Sequence, residues 1–492
     1  NIAMRSARKI QNLRNHDLIK QHAIPIALGG PTNYYDKLLE NIGSARCVLI
    51  GEASHGTEEF YQERILITQR LIEEKGFNLV AVEADWPDAY KVNRYVQNCK
   101  NNTAKNADEA LGDFKRFPTW MWRNEQVLKF IEWMRQYNDK LAKERKEDNS
   151  QVCYEKVGFY GLDFYSLFTS MGEVIRYLKG VDYESYKEAI KAYSCFDHFN
   201  RSTETYSFAN YFNIMPSCEK EVISVLSNLV RKHGEYLSKH SDEETEELFQ
   251  AEVNAMVVCD AEEYYRCMMD GGAEGWNKRD THMMNILQIL IKKYERALKG
   301  KEAKVVVWAH NSHIGDASQT DQGWARGEIN IGQLARERLG HNRVFNIGFT
   351  THFGTVTAAS NWGASREVKT VNPSRKDSIE NIFHTIAGEI NGQNFILPFT
   401  RVTPENNEKT PISLDLVTDL AREPFLLQRA IGVIYAPHTE RASHYYQAKT
   451  SKQFDAVIHI DWTNALKPLD EVEKTEPEEI MHELPETFPT GE

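Results

Sequence analysis

Cys47-Val-Leu-Ile-Gly-Glu-Ala-Ser-His-Gly56, a helical pattern from Thr57 to Lys75, and Leu79-Val-Ala-Val-Glu-Ala-Asp85 together set the fold. An apolar run, a polar turn, an amphipathic stretch and a second apolar run make a βαβ unit. Uninterrupted aliphatic strands of this kind are buried on both faces, as parallel strands are. Ligands of open parallel sheets collect beyond the carboxyl ends of the strands. One strand end here delivers Glu52 and His55, the other Glu83 and Asp85, where a purely structural strand would carry Ile or Val.

Working outward, Thr57 is placed to cap the helix, and Glu58 and Glu59 to complement its dipole. Phe60, Ile67 and Leu71 mark its apolar stripe, with Arg64 among them. An arginine there snorkels, pairs with a carboxylate, or serves the crevice at which its helix begins. Val157-Gly-Phe-Tyr-Gly161 reads as a third strand, running into Asp163. Lys304-Val-Val-Val-Trp308 reads as a fourth, running into His310 and His313. Val344–Gly348 and Ala456–Ile460 complete the expected core. Between Ser166 and Gly300 the patterns are helical, and the last helix, Lys278 to Leu298, starts with Arg279, Asp280 and His282. Those three read as a capped, salt-bridged helix end, with Arg279 and Asp280 also candidates for substrate contact.

The expected fold class is therefore α/β, a three-layer α/β/α core on a mainly parallel sheet, with a large helical insertion and a small α+β insertion. Residues 1–165 hold the first part of the core, 166–300 the helical insertion, and 301–350 the second part of the core. Residues 351–441 hold the small α+β region, with β-like pieces at Phe353–Ala358, Phe395–Phe399 and Ala430–Tyr435. Residues 442–467 return to the core, and 468–492 form an acidic tail.

A chain of 492 residues with 41% hydrophobic content can bury such a core. A formal net charge of -12 argues against nucleic acid or an anionic membrane as partner. No segment approaches the roughly 20 apolar residues of a membrane span, and no signal pattern opens the sequence. The 7 cysteines are scattered, with no C-x-x-C pair, so neither a disulfide framework nor a zinc ribbon is indicated, and a reducing, cytoplasmic setting is expected.

Glu52 and His55, Glu83, and His310 and His313 thus converge from separate strand ends. Two chemistries suit such a set. In one, a carboxylate fixes the tautomer of His55, which takes a proton from water attacking an acyl carbon. Arg64, His310, His313 or free N–H groups then meet the oxyanion. In the other, imidazoles and carboxylates hold a divalent metal that activates the water. The sequence has no G-x-S-x-G elbow, no H-E-x-x-H, no P-loop and no convincing G-x-G-x-x-G, which disfavours serine hydrolases, zincins and nucleotide enzymes.

Gly51-Glu-Ala-Ser-His-Gly56, Arg64, Val82-Glu-Ala-Asp-Trp-Pro87, Lys278-Arg-Asp-Thr-His-Met283 and Trp308-Ala-His-Asn-Ser-His313 resemble the erythromycin esterase family, whose members are often labelled succinoglycan biosynthesis proteins. Arg429-Ala-Ile-Gly-Val-Ile434 and Phe454-Asp-Ala-Val-Ile-His-Ile-Asp461 extend the resemblance over nearly the whole chain. It implies hydrolysis of a macrolide lactone without a covalent intermediate, His55 as general base, Glu52, Glu83, Arg64 and His310 as its essential neighbours, and His313 in support. The expected partner is a small-molecule ester or lactone. No stoichiometric cofactor is expected, a divalent metal on Glu52, His55, Glu83, His310 and His313 being the alternative. The rival reading is a non-hydrolytic or metal-dependent protein of exopolysaccharide (succinoglycan) biosynthesis.

Overall fold

Successive residues of the expected strands point into opposite layers, and both layers are apolar. Val48, Ile50, Val80, Val82, Val306 and Trp308 enter one hydrophobic cluster. Cys47, Leu49, Leu79, Ala81, Val305 and Val307 enter the other. The computed structural model describes residues 14–144, 156–239, 242–390 and 393–471. Cys153 and the acidic tail beyond 471 lie outside the described residues.

We number the strands of the central sheet β1 (Ile24–Ile26), β2 (Cys47–Ile50), β3 (Leu79–Asp85), β4 (Gly158–Asp163), β5 (Val305–Trp308), β6 (Val344–Thr350), β7 (Asn394–Pro398) and β8 (Ala456–Ile460). Their order is β1-β7-β8-β6-β2-β5-β3-β4. From β8 to β4 every pairing is parallel. The helices Glu58–Lys75 and Glu125–Glu144 cover one face through Phe60, Ile67, Leu71, Phe130 and Ile131. The helix Glu274–Ala297 covers the other through Met283, Leu287 and Leu290, and carries the helical stretch outward. Each fully buried aliphatic side chain contributes roughly 1.5–3 kcal/mol by leaving water. The fold is the mainly parallel three-layer architecture that the sequence pattern predicts.

Several details differ from the expectation. β1, for which no strand is expected, pairs antiparallel with β7. β7 itself, expected in the small α+β region, joins the central sheet antiparallel to β8. Short apolar pieces carry no signal of which sheet they enter. Ala430–Tyr435 is not a regular strand: Leu426–Arg429 pairs instead with Tyr445–Ala448. Ile431 donates its N–H to the carbonyl of Ala53 at 2.9 Å, so this segment buttresses the Gly51–Gly56 turn. Nor are the cysteines all free: Cys195 and Cys218, 23 residues apart, form a disulfide. Cys47, Cys99, Cys259 and Cys267 are free thiols. Spacing alone could not reveal that pairing, because the chain between them passes through the helix Thr203–Tyr211 before Cys218 returns to Cys195. No described helix is long and apolar enough to cross a membrane.

Candidate active site

The sheet order explains why the chemistry gathers: β2, β5, β3 and β4 are neighbours, and their carboxyl ends supply Glu52 and His55, His310 and His313, Glu83 and Asp85, and Asp163. The Gly51–Gly56 turn between β2 and its helix has no room for side chains at its two ends. A Cβ on Gly51 would lie 2.1 Å from Asn311 Oδ1, and one on Gly56 would lie 1.8 Å from the Thr357 carbonyl. Thr57 precedes the helix Glu58–Lys75 without a side-chain capping bond. Glu58 and Glu59 instead receive the returning chain: Asn464 N–H donates to Glu59 at 2.8 Å and Lys467 N–H to Glu58 at 3.1 Å.

His55 is buried, and its Nδ1 lies 2.7 Å from Glu52 Oε1. Glu52 can only accept, so Nδ1 carries the proton and Nε2 is left as the basic nitrogen. Among the described residues Nε2 makes no hydrogen bond, and its nearest acid is Glu83 Oε1 at 3.9 Å. Arg64 stands behind Glu52, with Nη2 3.1 Å from Oε2. That contact is an ion pair without hydrogen-bond alignment, since neither atom has a hydrogen-bond partner. The guanidinium is instead sandwiched between Tyr61 and Trp308, 4.7 Å from each ring centre.

Glu83 is the hub. Its Oε2 accepts from the backbone N–H of His310 at 2.8 Å. Its Oε1 accepts from Arg279 Nη2 at 3.0 Å and lies 3.3 Å from His313 Nε2. Burial would raise its pKa, but His313, His55 and Arg279 outweigh that and hold it well below the usual carboxylate range. His313 is the opposite case. Burial works against its charge, yet Asp280 on Nδ1 at 2.9 Å and Glu83 raise its pKa from 6.5 to about 9. Trp276 lies flat on the same ring, with centroids 4.4 Å apart and planes 5° from parallel.

His310 is held differently. Its Nδ1 accepts the Ser312 N–H at 3.2 Å, which fixes the other nitrogen as donor, and Nε2 faces the Ile431 carbonyl at 3.1 Å. Burial first, then the proximity of the His55 ring, push its pKa well below the ordinary value, so the ring is neutral. It lies beside His55, with centroids 4.9 Å apart.

Arg279 and Asp280, the two candidates for substrate contact, are both buried. Arg279 is bonded to Asp163 at 2.6 Å as well as to Glu83. Asp280 lies behind His313 and also accepts the Ile331 N–H at 2.9 Å. His282, at the same helix start, turns away to Asp260 at 2.5 Å. Sequence reasoning missed Trp276 and Arg116, which carry no motif signal.

A cleft of about 720 Å³ opens over β3 and β4, between the core and the helical stretch. It shares Asp85, Asp88 and Arg116 with a throat of about 30 Å³ whose far wall is Glu83, Asp163 and Arg279. Arg116 Nε closes on Asp85 at 2.7 Å where the two spaces meet. Among the described residues no group of three or more His, Cys, Asp or Glu side chains is arranged to hold a metal ion.

Known proteins agree with this architecture. An erythromycin esterase type II of Escherichia coli is 24% identical over 366 residues, 70% of this chain and 79% of its own. A putative hydrolase of Bacillus subtilis (strain 168) is 22% identical over 371 residues, 72% of this chain and 76% of its own. A solved succinoglycan biosynthesis protein superposes with a TM-score of 0.68 at 20% identity, over 93% of this chain and 98% of that one. A mutant erythromycin esterase solved in its open conformation gives a TM-score of 0.61 at 16% identity, over 89% and 96%. The erythromycin esterase family profile matches residues 72–463, a span that takes in Glu83, Arg279, His310 and His313 and starts after Glu52, His55 and Arg64. The chain belongs to the erythromycin esterase family.

Proposed function

We propose that this protein hydrolyses a carboxylic ester or lactone with water activated by His55. The observation that carries this reading is the state of His55: Nδ1 committed to Glu52 at 2.7 Å, and Nε2 without a hydrogen bond among the described residues. Water between Nε2 and Glu83 gives its proton to Nε2 as its oxygen attacks the acyl carbon. Glu52 and ionised Glu83 stabilise the imidazolium that forms. The oxyanion is met by the cationic face of Arg279 and His313, preorganised by Asp163, Asp280 and Trp276. The adduct collapses with cleavage of the acyl carbon–oxygen bond, and the His55 imidazolium returns its proton to the departing alcohol oxygen. His310, neutral and bonded to Ile431, and Arg64, behind Glu52, position His55 and Glu52.

A metal ion fits this site poorly. His310 spends both ring nitrogens on Ser312 and Ile431, and His313 Nδ1 is taken by Asp280. Two guanidiniums, Arg64 and Arg279, already sit on the carboxylates a dication would need. The substrate is a small molecule, and a macrolide lactone is the first to try because the Escherichia coli relative is named for erythromycin.

Single-turnover hydrolysis of an aryl ester in ¹⁸O-labelled water tests the chemistry. Label in the acid released on the first turnover, and none in the protein, is expected. Unlabelled acid on that turnover would mean attack by a protein carboxylate, and no turnover of any ester would end the reading.

A further inference from the structure

The cleft differs in character from the molecule that bears it. The chain is strongly acidic, with a net charge of -12, yet positive and negative side chains nearly balance on the cleft wall. Most of those cations are committed. Lys91 pairs with Asp113 at 2.7 Å, Arg116 with Asp85 at 2.7 Å and Arg94 with Glu247 at 2.8 Å. Arg201 is the exception. The residue is exposed, and its guanidinium makes no ion pair or hydrogen bond among the described residues and rests 5.2 Å above the Phe168 ring on the same wall.

The backbone holds it there. Asn200 and Arg201 take left-handed conformations, with φ of 54° and 51°, uncommon in succession for residues with a side chain. The Arg201 N–H is bonded to the Phe196 carbonyl at 3.1 Å, and the disulfide from Cys195 to Cys218 anchors the same turn. Side-chain packing on Phe168 and a fixed backbone thus present a planar array of donors to the cleft, with no acceptor among the described residues. Carboxylates and phosphates match that array in charge and in shape.

We propose that the cleft takes an ester whose non-reacting part ends in an anionic group, a carboxylate or a phosphate, and that Arg201 binds that group. This inference rests on the esterase reading and names the substrate class for the same site.

The test uses the full chain and a series of mono-p-nitrophenyl esters of straight-chain dicarboxylic acids of increasing length. Each is paired with the neutral ester of the monocarboxylic acid of matching length, and kcat/KM ratios are compared. For at least one length the wild type should favour the anionic ester by roughly tenfold, the scale of one charge-assisted contact in a partly open cleft, chiefly through KM. Arg201→Ala and Arg201→Gln should erase that preference, Arg201→Glu should reverse it, and added salt should weaken it. Absence of a preference at every length, or a preference that survives Arg201→Ala with an unchanged melting profile, would overturn the proposal. Phosphomonoester-tipped esters in the same series separate phosphate from carboxylate. Should no ester be turned over, the esterase reading fails separately, and calorimetric titration of the matching anilides still tests the subsite: equal affinity of the wild type for anionic and neutral anilides would overturn it, and tighter binding of the anionic one that is lost in Arg201→Ala would sustain it.

Discussion

Asp280 Oδ2 lies 2.9 Å from Nδ1 of His313, in a wall where both side chains are buried. With Glu83 on the other side, and with Arg279 Nη1 3.1 Å from the same Nε2, the two carboxylates favour the imidazolium at neutral pH. The folded-state pKa of His313 is raised from 6.5 to about 9, so its contribution to stability is complete below about 6.5 and is lost as pH rises through 9. That contribution is on the order of 3 kcal/mol. Urea midpoints measured from neutral to alkaline pH should fall across this window in the wild type, and much less in His313→Gln. Asp280→Asn should bring the ring's pKa down, visible in its NMR titration. Identical alkaline slopes in wild type and His313→Gln would contradict the charge assignment.

Arg64 faces Glu52 at one end and two aromatic rings on its flat sides. Arg64→Ala leaves the buried Glu52 carboxylate without its guanidinium counter-charge, held by His55 Nδ1 alone, at a cost of roughly 3–5 kcal/mol in stability. Arg64→Lys restores the charge without the planar stacking, and should recover part of the stability but not full kcat, because Glu52 no longer holds His55 in register. Urea melts and steady-state rates on one aryl ester check both. Full activity in Arg64→Lys would reduce the arginine to a generic counter-charge.

The crowded donor set predicts that exhaustive dialysis against a chelator leaves esterase activity unchanged, with less than one equivalent of divalent metal found by elemental analysis. Activity lost on dialysis and regained with one equivalent of a divalent ion would move His310 and His313 into a metal's coordination sphere, and the tautomer assigned to His310 would have to change.

Much of this was legible in the sequence. β2, β3 and β5 each end in residues that a doubly buried strand has no use for, and the parallel order places those ends side by side, so Glu52, His55, Glu83, His310 and His313 meet. Pairing with a carboxylate was one of the readings open to Arg64 from its helix starting at the crevice, and the structure supplies the partner, Glu52. Less accessible was what each side chain touches. His282 and Asp280 lie two residues apart at one helix start, yet one turns to Asp260 and the other to His313. Trp276 lies ahead of the helix expected from Lys278; that helix in fact begins at Glu274 and packs on β4, and the ring lies flat on His313. β1 is three residues long, too short for a period-2 pattern to register, and its pairing with β7 is a tertiary choice.

The central claim is that Nε2 of His55 is the base. The kcat of His55→Asn against an activated aryl ester, measured across pH beside the wild type, tests it most directly. Asparagine can still hydrogen-bond Glu52 but cannot take a proton, so the account predicts a drop of at least ~10²-fold with the circular dichroism and melting profile retained. A folded His55→Asn that turns the ester over at the wild-type rate, with the wild-type pH profile, would contradict it.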